Sequence, residues 1–455
     1  MTESGAQAAA PSPSTVRKVA LAAMAGSAIE WYDFFIYLTA AALVFGPLFF
    51  PGSSEVAGVL ASFSTAAVGF LARPIGGVLF GHFGDRLGRK PTLVIALLTM
   101  GTATTLVGLL PTYMTIGVAA PIALFLLRFL QGLAVGGQWG GAVLLATEYA
   151  PEGKRGYYGS FAQMGVPVGL LLGNTIFLLI SGIFGEQAFA AWAWRIPFLL
   201  SVILIGIALY IQLRLEDTPV FRRLEERQQE GEDAESGSPV LEVLRDHPKQ
   251  ILLAGGAFFV VNGAFYVLIT GMLDYGTRTL GVSQNVMLAA VLISAAVEAV
   301  AIVGMSAVSD RVGRRPVFMA GAALLGLWAF PLFWLVNTKS FALIVIALCV
   351  AQFFLGMMYG PQAALFAEMF SARVRYSGAS IGYQGASVFA GGLAPIIMVT
   401  LLESTGTSLS VSFYVLAMSI ITFVSVYLIT ATYGDEMTRD QAGATEEEKA
   451  ATTTG

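Results

Sequence analysis

The residues best placed to do chemistry sit in one apolar run. Glu30, Asp33 and Tyr37 stand at i, i+3 and i+7, a spacing that sets them on one face of a helix. A carboxylate buried in apolar surroundings costs several kcal/mol unless it is paired or protonated. Acids so placed either face a polar cavity, where they take up and release protons, or form a structural ion pair. A later run carries Arg128, Gln131 and Gln138, which fall within about 80° of one another at 100° per residue. A guanidinium keeps its charge in a protein and offers a planar fork of donors suited to a carboxylate. Arg128 therefore needs a standing counter-charge, either a protein acid such as Asp33 or a bound anion.

Lesser candidates surround these. Arg73 lies toward one end of its run, where its stem could snorkel or its head could meet an anion. Glu298 is an isolated mid-run acid, a partner for an arginine or a further proton site. Asn262, Tyr266 and Thr270, at i, i+4 and i+8, offer only neutral donors and acceptors where the first half of the chain has acids. Asp274, at the end of its run, is expected in solvent. Arg195 beside Trp192 and Trp194 reads as part of an interfacial aromatic belt. His82 and His247 have no metal-ligand companions, and a single cysteine, Cys349, excludes an intramolecular disulfide.

The elements that must position these residues are long apolar helices. Of 455 residues, 56% are hydrophobic and 12% charged, with mean hydropathy +0.74; soluble domains carry roughly 25% charged residues. A membrane span needs about 20 apolar residues. Spans are expected near 19–49, 56–80, 92–112, 114–147, 157–185 and 192–213, and again near 251–275, 285–308, 317–337, 340–367, 377–402 and 408–432. The chain thus reads as an all-α membrane protein with twelve transmembrane helices. Residues 19–213 and 251–432 form six-helix bundles, 214–250 a polar linker, and 1–18 and 433–455 the tails. Twenty of the 25 Lys and Arg residues fall in the tails and the even-to-odd loops, which puts both termini in the cytoplasm.

The two bundles look alike. The stretch Gly81-His82-Phe83-Gly84-Asp85-Arg86-Leu87-Gly88-Arg89-Lys90-Pro91 returns as Ser309-Asp310-Arg311-Val312-Gly313-Arg314-Arg315-Pro316, 225 residues on (310 − 85). Gly136, Gly140, Glu148 and Arg155 match Gly356, Gly360, Glu368 and Arg375, 220 residues on (356 − 136). Arg128 corresponds to Leu348, so the charge lies in the first half. Parallel repeats of this kind build transporters with a midplane site between the halves. Gly81, Asp85, Arg86, Gly88, Arg89, Glu148 and Arg155, with Asp310, Arg314, Glu368 and Arg375, read as a cytoplasmic latch whose charged bonds break as the protein opens inward. The plainer reading is a topology signal. Gly132, Gly136 and Gly140 form a small-residue stripe for close helix packing.

Several further stretches are distinctive: Glu30-Trp31-Tyr32-Asp33-Phe34, Phe70-Leu71-Ala72-Arg73-Pro74-Ile75-Gly76-Gly77, Gln131-Gly132-Leu133-Ala134-Val135-Gly136-Gly137 and Trp194-Arg195-Ile196-Pro197-Phe198 in the first half. Glu216-Asp217-Thr218-Pro219-Val220-Phe221 and Tyr376-Ser377-Gly378-Ala379-Ser380-Ile381-Gly382-Tyr383-Gln384 follow. With the hinge, they make the chain resemble the major facilitator superfamily, and within it the metabolite:proton symporters. That resemblance implies the major facilitator fold in the cell membrane and proton-coupled import by alternating access. It implies Glu30 and Asp33 as the proton-coupling pair, either of them the titrating group, and Gln384 as a cavity residue. Tyr37, Arg73, Arg128, Gln131, Gln138, Asn262, Tyr266 and Glu298 complete the expected substrate site.

Known substrates of that group include 2-oxoglutarate, citrate, shikimate, proline and betaine, so it does not fix the cargo. A small mono- or dicarboxylate is the first reading. Import of zwitterions is the alternative, although the osmosensing members have a long C-terminal coiled coil and the tail from Gly434 shows no heptads. Efflux is a second alternative, against which the fifth span reads Gly165-Val166-Pro167-Val168-Gly169 and lacks the antiporter pattern of Gly-Pro followed by Gly-Gly. No phosphate-binding loop appears, so nothing here is expected to bind ATP, and no selectivity-filter-like loop or ring of like charges suggests a channel; an enzyme is not expected. No cofactor, metal or nucleic acid is expected, and the unit is expected to be a monomer with substrate, protons and lipid as its partners.

Overall fold

A computed structural model of the chain describes residues 13–87, 89–136, 153–214, 245–370 and 375–429. Gly88, Gln138, Gly140 and Glu148 lie outside these residues, as do most of the linker and both tails. The side-chain surroundings of Gly81, Asp85, Arg86, Arg89 and Arg375 likewise lie outside what is described.

Each expected span contains a helix. The first half has α1 (Pro13–Leu43), α2 (Glu55–Leu87), α3 (Arg89–Leu109), α4 (Ala119–Gly136), α5 (Arg155–Ala191) and α6 (Ile196–Arg214). The second half has α7 (Pro248–Thr279), α8 (Gln284–Val312), α9 (Arg314–Val336), α10 (Phe341–Met369), α11 (375–405) and α12 (Leu409–Leu428). Among the described residues there is no strand, and nine helices are long and apolar enough to cross a membrane. Gly185 adopts φ 82°, a left-handed conformation open to glycine. It kinks α5 where the sequence placed the end of the fifth span. Two elements are not plain α-helix. α7 contains π-helical turns at Val267–Gly271 and Tyr275–Thr279, and α11 contains one at Ser387–Gly392.

Packing repeats as the sequence does. In the first half α1 lies on α5, α2 on α4, and α3 on α6; in the second, α7 lies on α11, α8 on α10, and α9 on α12. Glycine stripes set the closest pairs. Gly132 and Gly136 of α4 rest on the backbone of Gly69 and Arg73 in α2, and Gly356 and Gly360 of α10 rest on Ala301 and Ile302 of α8. A methyl group at Gly136 would strike the Arg73 carbonyl, so the approach depends on glycine. The halves meet where α5 packs on α8 and α10, and where α2 packs on α11. Side chains such as Leu71, Ile75, Leu126, Ile203, Val300 and Leu327 are exposed on the outer surface. That is the finish suited to lipid rather than water.

Candidate functional site

The glycine contact between α2 and α4 presses two arginines into the centre. Arg73 is 2% exposed and Arg128 1%. The Phe34 ring of α1 serves both: its centroid is 4.6 Å from the Arg73 guanidinium carbon and 4.3 Å from that of Arg128. Arg73 also lies over Phe70 at 4.5 Å and Trp31 at 5.5 Å, and Arg128 over Tyr37 at 4.3 Å. Such cation–π contacts soften the cost of burying a charge without cancelling it. Arg73 therefore turns into the core and does not snorkel.

The hydrogen bonds leave both guanidinium groups incomplete. Arg128 donates one bond, from Nη1 to Gln131 Oε1 at 3.1 Å, and Gln131 Nε2 donates to Thr104 Oγ1 at 2.8 Å. The Tyr266 hydroxyl lies within electrostatic reach of Arg73. The Nε and Nη2 atoms of both arginines have no hydrogen-bond partner among the described residues. No carboxylate lies within ion-pairing distance of either among the described residues. Asp33, 3% exposed, accepts instead from Ser201 Oγ at 2.6 Å. Of the two counter-charges the sequence allows for Arg128, the Asp33 ion pair is thus not formed. Glu30 is half-buried within electrostatic reach of Arg73. Tyr37 shares a 2.7 Å hydrogen bond with Thr65. Asp33, Phe34, Arg73, Arg128, Gln131 and Gly132 line one internal cavity.

The second half faces this cluster with neutral groups. Tyr266 packs edge-on to Phe34 and Phe70, with centroids 6.0 and 5.2 Å apart. Asn262 Nδ2 donates to Ser387 Oγ at 2.8 Å. Gln384 is 7% exposed, and its Oε1 has no partner. Glu298 is fully buried and makes no ion pair among the described residues, so it does not neutralise an arginine. The sequence reading passed over Phe34, Thr104, Ser201, Gln352 and Gln362. The two glutamines are fully buried with both amide atoms unpartnered. The rule that picked out Gln131, a polar residue inside an apolar run, would have found them.

At the end of the bundle that carries the repeated hinge, Asp310 bridges the halves. Its Oδ1 accepts from the Gly156 backbone N–H and its Oδ2 from that of Tyr157, both at 2.9 Å. An acid of α8 thus caps the first turn of α5, where the helix dipole favours negative charge. Arg314 pairs with Asp310 and donates to Ser309 Oγ at 3.0 Å and Glu368 Oε1 at 3.3 Å. Arg155 is within electrostatic reach of Glu368. Burial pushes the Glu368 carboxyl above its ordinary value, against the pull of Arg314. Nearby, Gln163 Nε2 of α5 donates to the Tyr359 carbonyl of α10 at 3.3 Å.

The halves also touch at the opposite end. Gln284 Nε2 meets Ser181 Oγ at 3.4 Å across the halves. Asp274 corrects the sequence expectation. It is 1% exposed and paired with Arg278 at 3.1 Å, which also holds Glu403 at 3.0 Å. Arg278, one turn on, covers the Asp274 carboxylate and is itself held by Glu403, 125 residues away. The aromatic belt around Arg195 needs the same correction. Trp192 is 48% exposed, but Trp194 is fully buried, packed edge-on to Phe45 and Phe198, with Arg195 over its ring at 4.5 Å.

Two parallel six-helix halves enclosing a polar centre, bonded to each other at both ends, define a secondary transporter rather than an enzyme. The chain belongs to the Major Facilitator Superfamily, whose sequence profile matches residues 19–395 and 277–452. It is 40% identical over 418 residues to the shikimate transporter of Escherichia coli K12, covering 91% of this chain and 95% of that protein. It is 36% identical over 414 residues to the glycine betaine/proline/ectoine/pipecolic acid transporter OusA of Dickeya dadantii, covering 89% and 81%. The fold matches that of the proton:xylose symporter XylE bound to 6-bromo-6-deoxy-D-glucose, with TM-score 0.74, 17% identity, and 92% and 97% of the two chains covered.

Proposed function

We propose that this transporter imports a small organic acid together with protons, and that the substrate carboxylate lies between Arg73 and Arg128. The observation that carries the reading is the pair of buried guanidinium groups whose Nε and Nη2 atoms have no hydrogen-bond partner and which have no ion-paired carboxylate among the described residues. Two such charges need an anion, and a carboxylate fits the fork. Glu30 beside Arg73 and Asp33 beside Ser201 are the proton-coupling acids. The wall of Asn262, Tyr266 and Gln384 reads the rest of the molecule. The hinge end faces the cytoplasm, in keeping with the Lys and Arg distribution, and the Asp310 bridge is part of the latch that alternating access must break. The 40% identical shikimate transporter supports an acid as cargo.

A zwitterion such as betaine would set its ammonium on aromatic rings. The faces of Phe34, Phe70 and Tyr37 are already covered by guanidinium groups, which tells against it. The test is uptake in a transport-deficient host of shikimate, 2-oxoglutarate, the amide of each, and glycine betaine, with and without a protonophore. Accumulation of an acid but not its amide, abolished by the protonophore, is expected. Preferred uptake of betaine, or accumulation that survives the protonophore under a sodium gradient, overturns the reading.

A further inference from the structure

Glu298 in α8 is the one buried acid among the described residues with neither an ion-pair partner nor a task in the foregoing reading. It stands 12 residues before Asp310 (310 − 298), just as Arg73 stands 12 before Asp85 (85 − 73). The two therefore occupy equivalent positions of the repeat: where the first half turns a permanent cation toward the centre, the second half has an acid.

Its surroundings are built rather than accidental. Glu298 is fully buried, and neither carboxyl oxygen has a hydrogen-bond partner among the described residues. α8 and α10 follow each other in register, Gly356 resting on Ala301 and Gly360 on Ile302 and Ser306. Gln352, one turn before Gly356, is therefore level with the turn that carries Glu298, and its amide is equally buried and unpartnered. Tyr359 of α10 lies within electrostatic reach of Glu298 and of Tyr383 of α11, and Tyr383 within reach of Glu30 and Arg73. Between them these two tyrosines thus lie within electrostatic reach of both Glu298 and the acid and arginine cluster of the other half.

The remaining charges are distant. On α8 itself Asp310 and Arg311 lie at the hinge end, about 18 Å away at 1.5 Å per residue. Glu368 of α10, Arg314 and Arg315 of α9, and Arg155 of α5 belong to that same end. Asp274 and Arg278 of α7 and Glu186 of α5 lie at the other. No cation faces Glu298 among the described residues. An ionised carboxylate buried with no counter-charge and no protein donor is untenable, whereas a neutral carboxylic acid is not.

We propose that Glu298 is a second proton-carrying site, protonated while the centre is closed and able to release its proton when the centre opens, so that one transport cycle moves more than one proton. This rests on the proton-coupled reading above. Its test is infrared spectroscopy of the purified full-length protein in liposomes, which needs neither substrate nor transport. A substrate or coupling-ion failure in the uptake assay therefore leaves this result to stand or fall alone. A carboxylic C=O band at neutral pH is expected in wild type, lost in Glu298→Gln, shifted in Glu298→Asp, and bleached as pH rises. Should Glu298→Gln not fold, Glu30→Gln/Glu368→Gln carrying isotope-labelled glutamate must still show an isotope-shifted carboxylic band. A Glu298→Gln spectrum superimposable on wild type, absence of that labelled band, or a band that persists at every pH at which the protein stays folded overturns the proposal.

Discussion

At the scale of single residues, Arg128→Lys separates a clamp from a mere neutraliser. Lysine keeps the charge but loses the planar fork. Hydrogen bonds to charged groups contribute about 1.5–3 kcal/mol each, so loss of one weakens binding of the carboxylate substrate by about 10- to 150-fold. Binding of the acid and its amide to wild type and variant in the same membranes measures this, and equal affinity for the acid rules out the clamp. The sequence made Arg128, Gln131 and Asp33 conspicuous because polar residues in apolar runs are rare. It could not say that Asp33 bonds Ser201 rather than Arg128, because that depends on how α1 meets α6, 168 residues further on. Arg73 was ambiguous for a similar reason. Whether a long side chain snorkels or turns inward depends on which face of α2 the glycines of α4 claim.

At the scale of elements, the cap that Asp310 places on α5 is the testable part of the latch. Asp310→Asn keeps the shape and weakens two backbone bonds and the pair with Arg314. A cap contributes about 0.5–2 kcal/mol, enough to shift an equilibrium between closed and open forms several-fold. Expression should hold while transport slows, and a cysteine probe near Tyr157 should label faster. Unchanged turnover with unchanged labelling would leave the hinge as a topology signal alone. The twelve spans were legible because apolar runs broken by charge carry length and order directly. The pairing of α2 with α4 and α8 with α10 was foreshadowed by the glycine stripe. The π-helical turns were not, since nothing in Val267–Gly271 or Ser387–Gly392 distinguishes them from ordinary helix.

At the scale of the whole molecule, the two halves touch at both ends, so opening either end must break contacts between them. Cysteines replacing Ser181 and Gln284, in a Cys349→Ser background, should be joined by a short bifunctional thiol reagent. Joined, they should stop transport while leaving the hinge end free to open, as read by labelling near Tyr157; continued full-rate uptake by the joined protein would count against a moving contact there. The π turns bear on something else, the chain's tolerance of changes in length. A π turn holds one residue more than the α pattern around it requires. Deleting Ile269 therefore lets ordinary α hydrogen bonding run through, with Asp274 and Arg278 still facing Glu403. The same deletion at Leu324, in the unbroken α9, swings every later side chain of that helix by about 100°. Membrane expression should survive the first deletion and fail in the second, and equal loss in both would show that the extra residue in α7 cannot be spared.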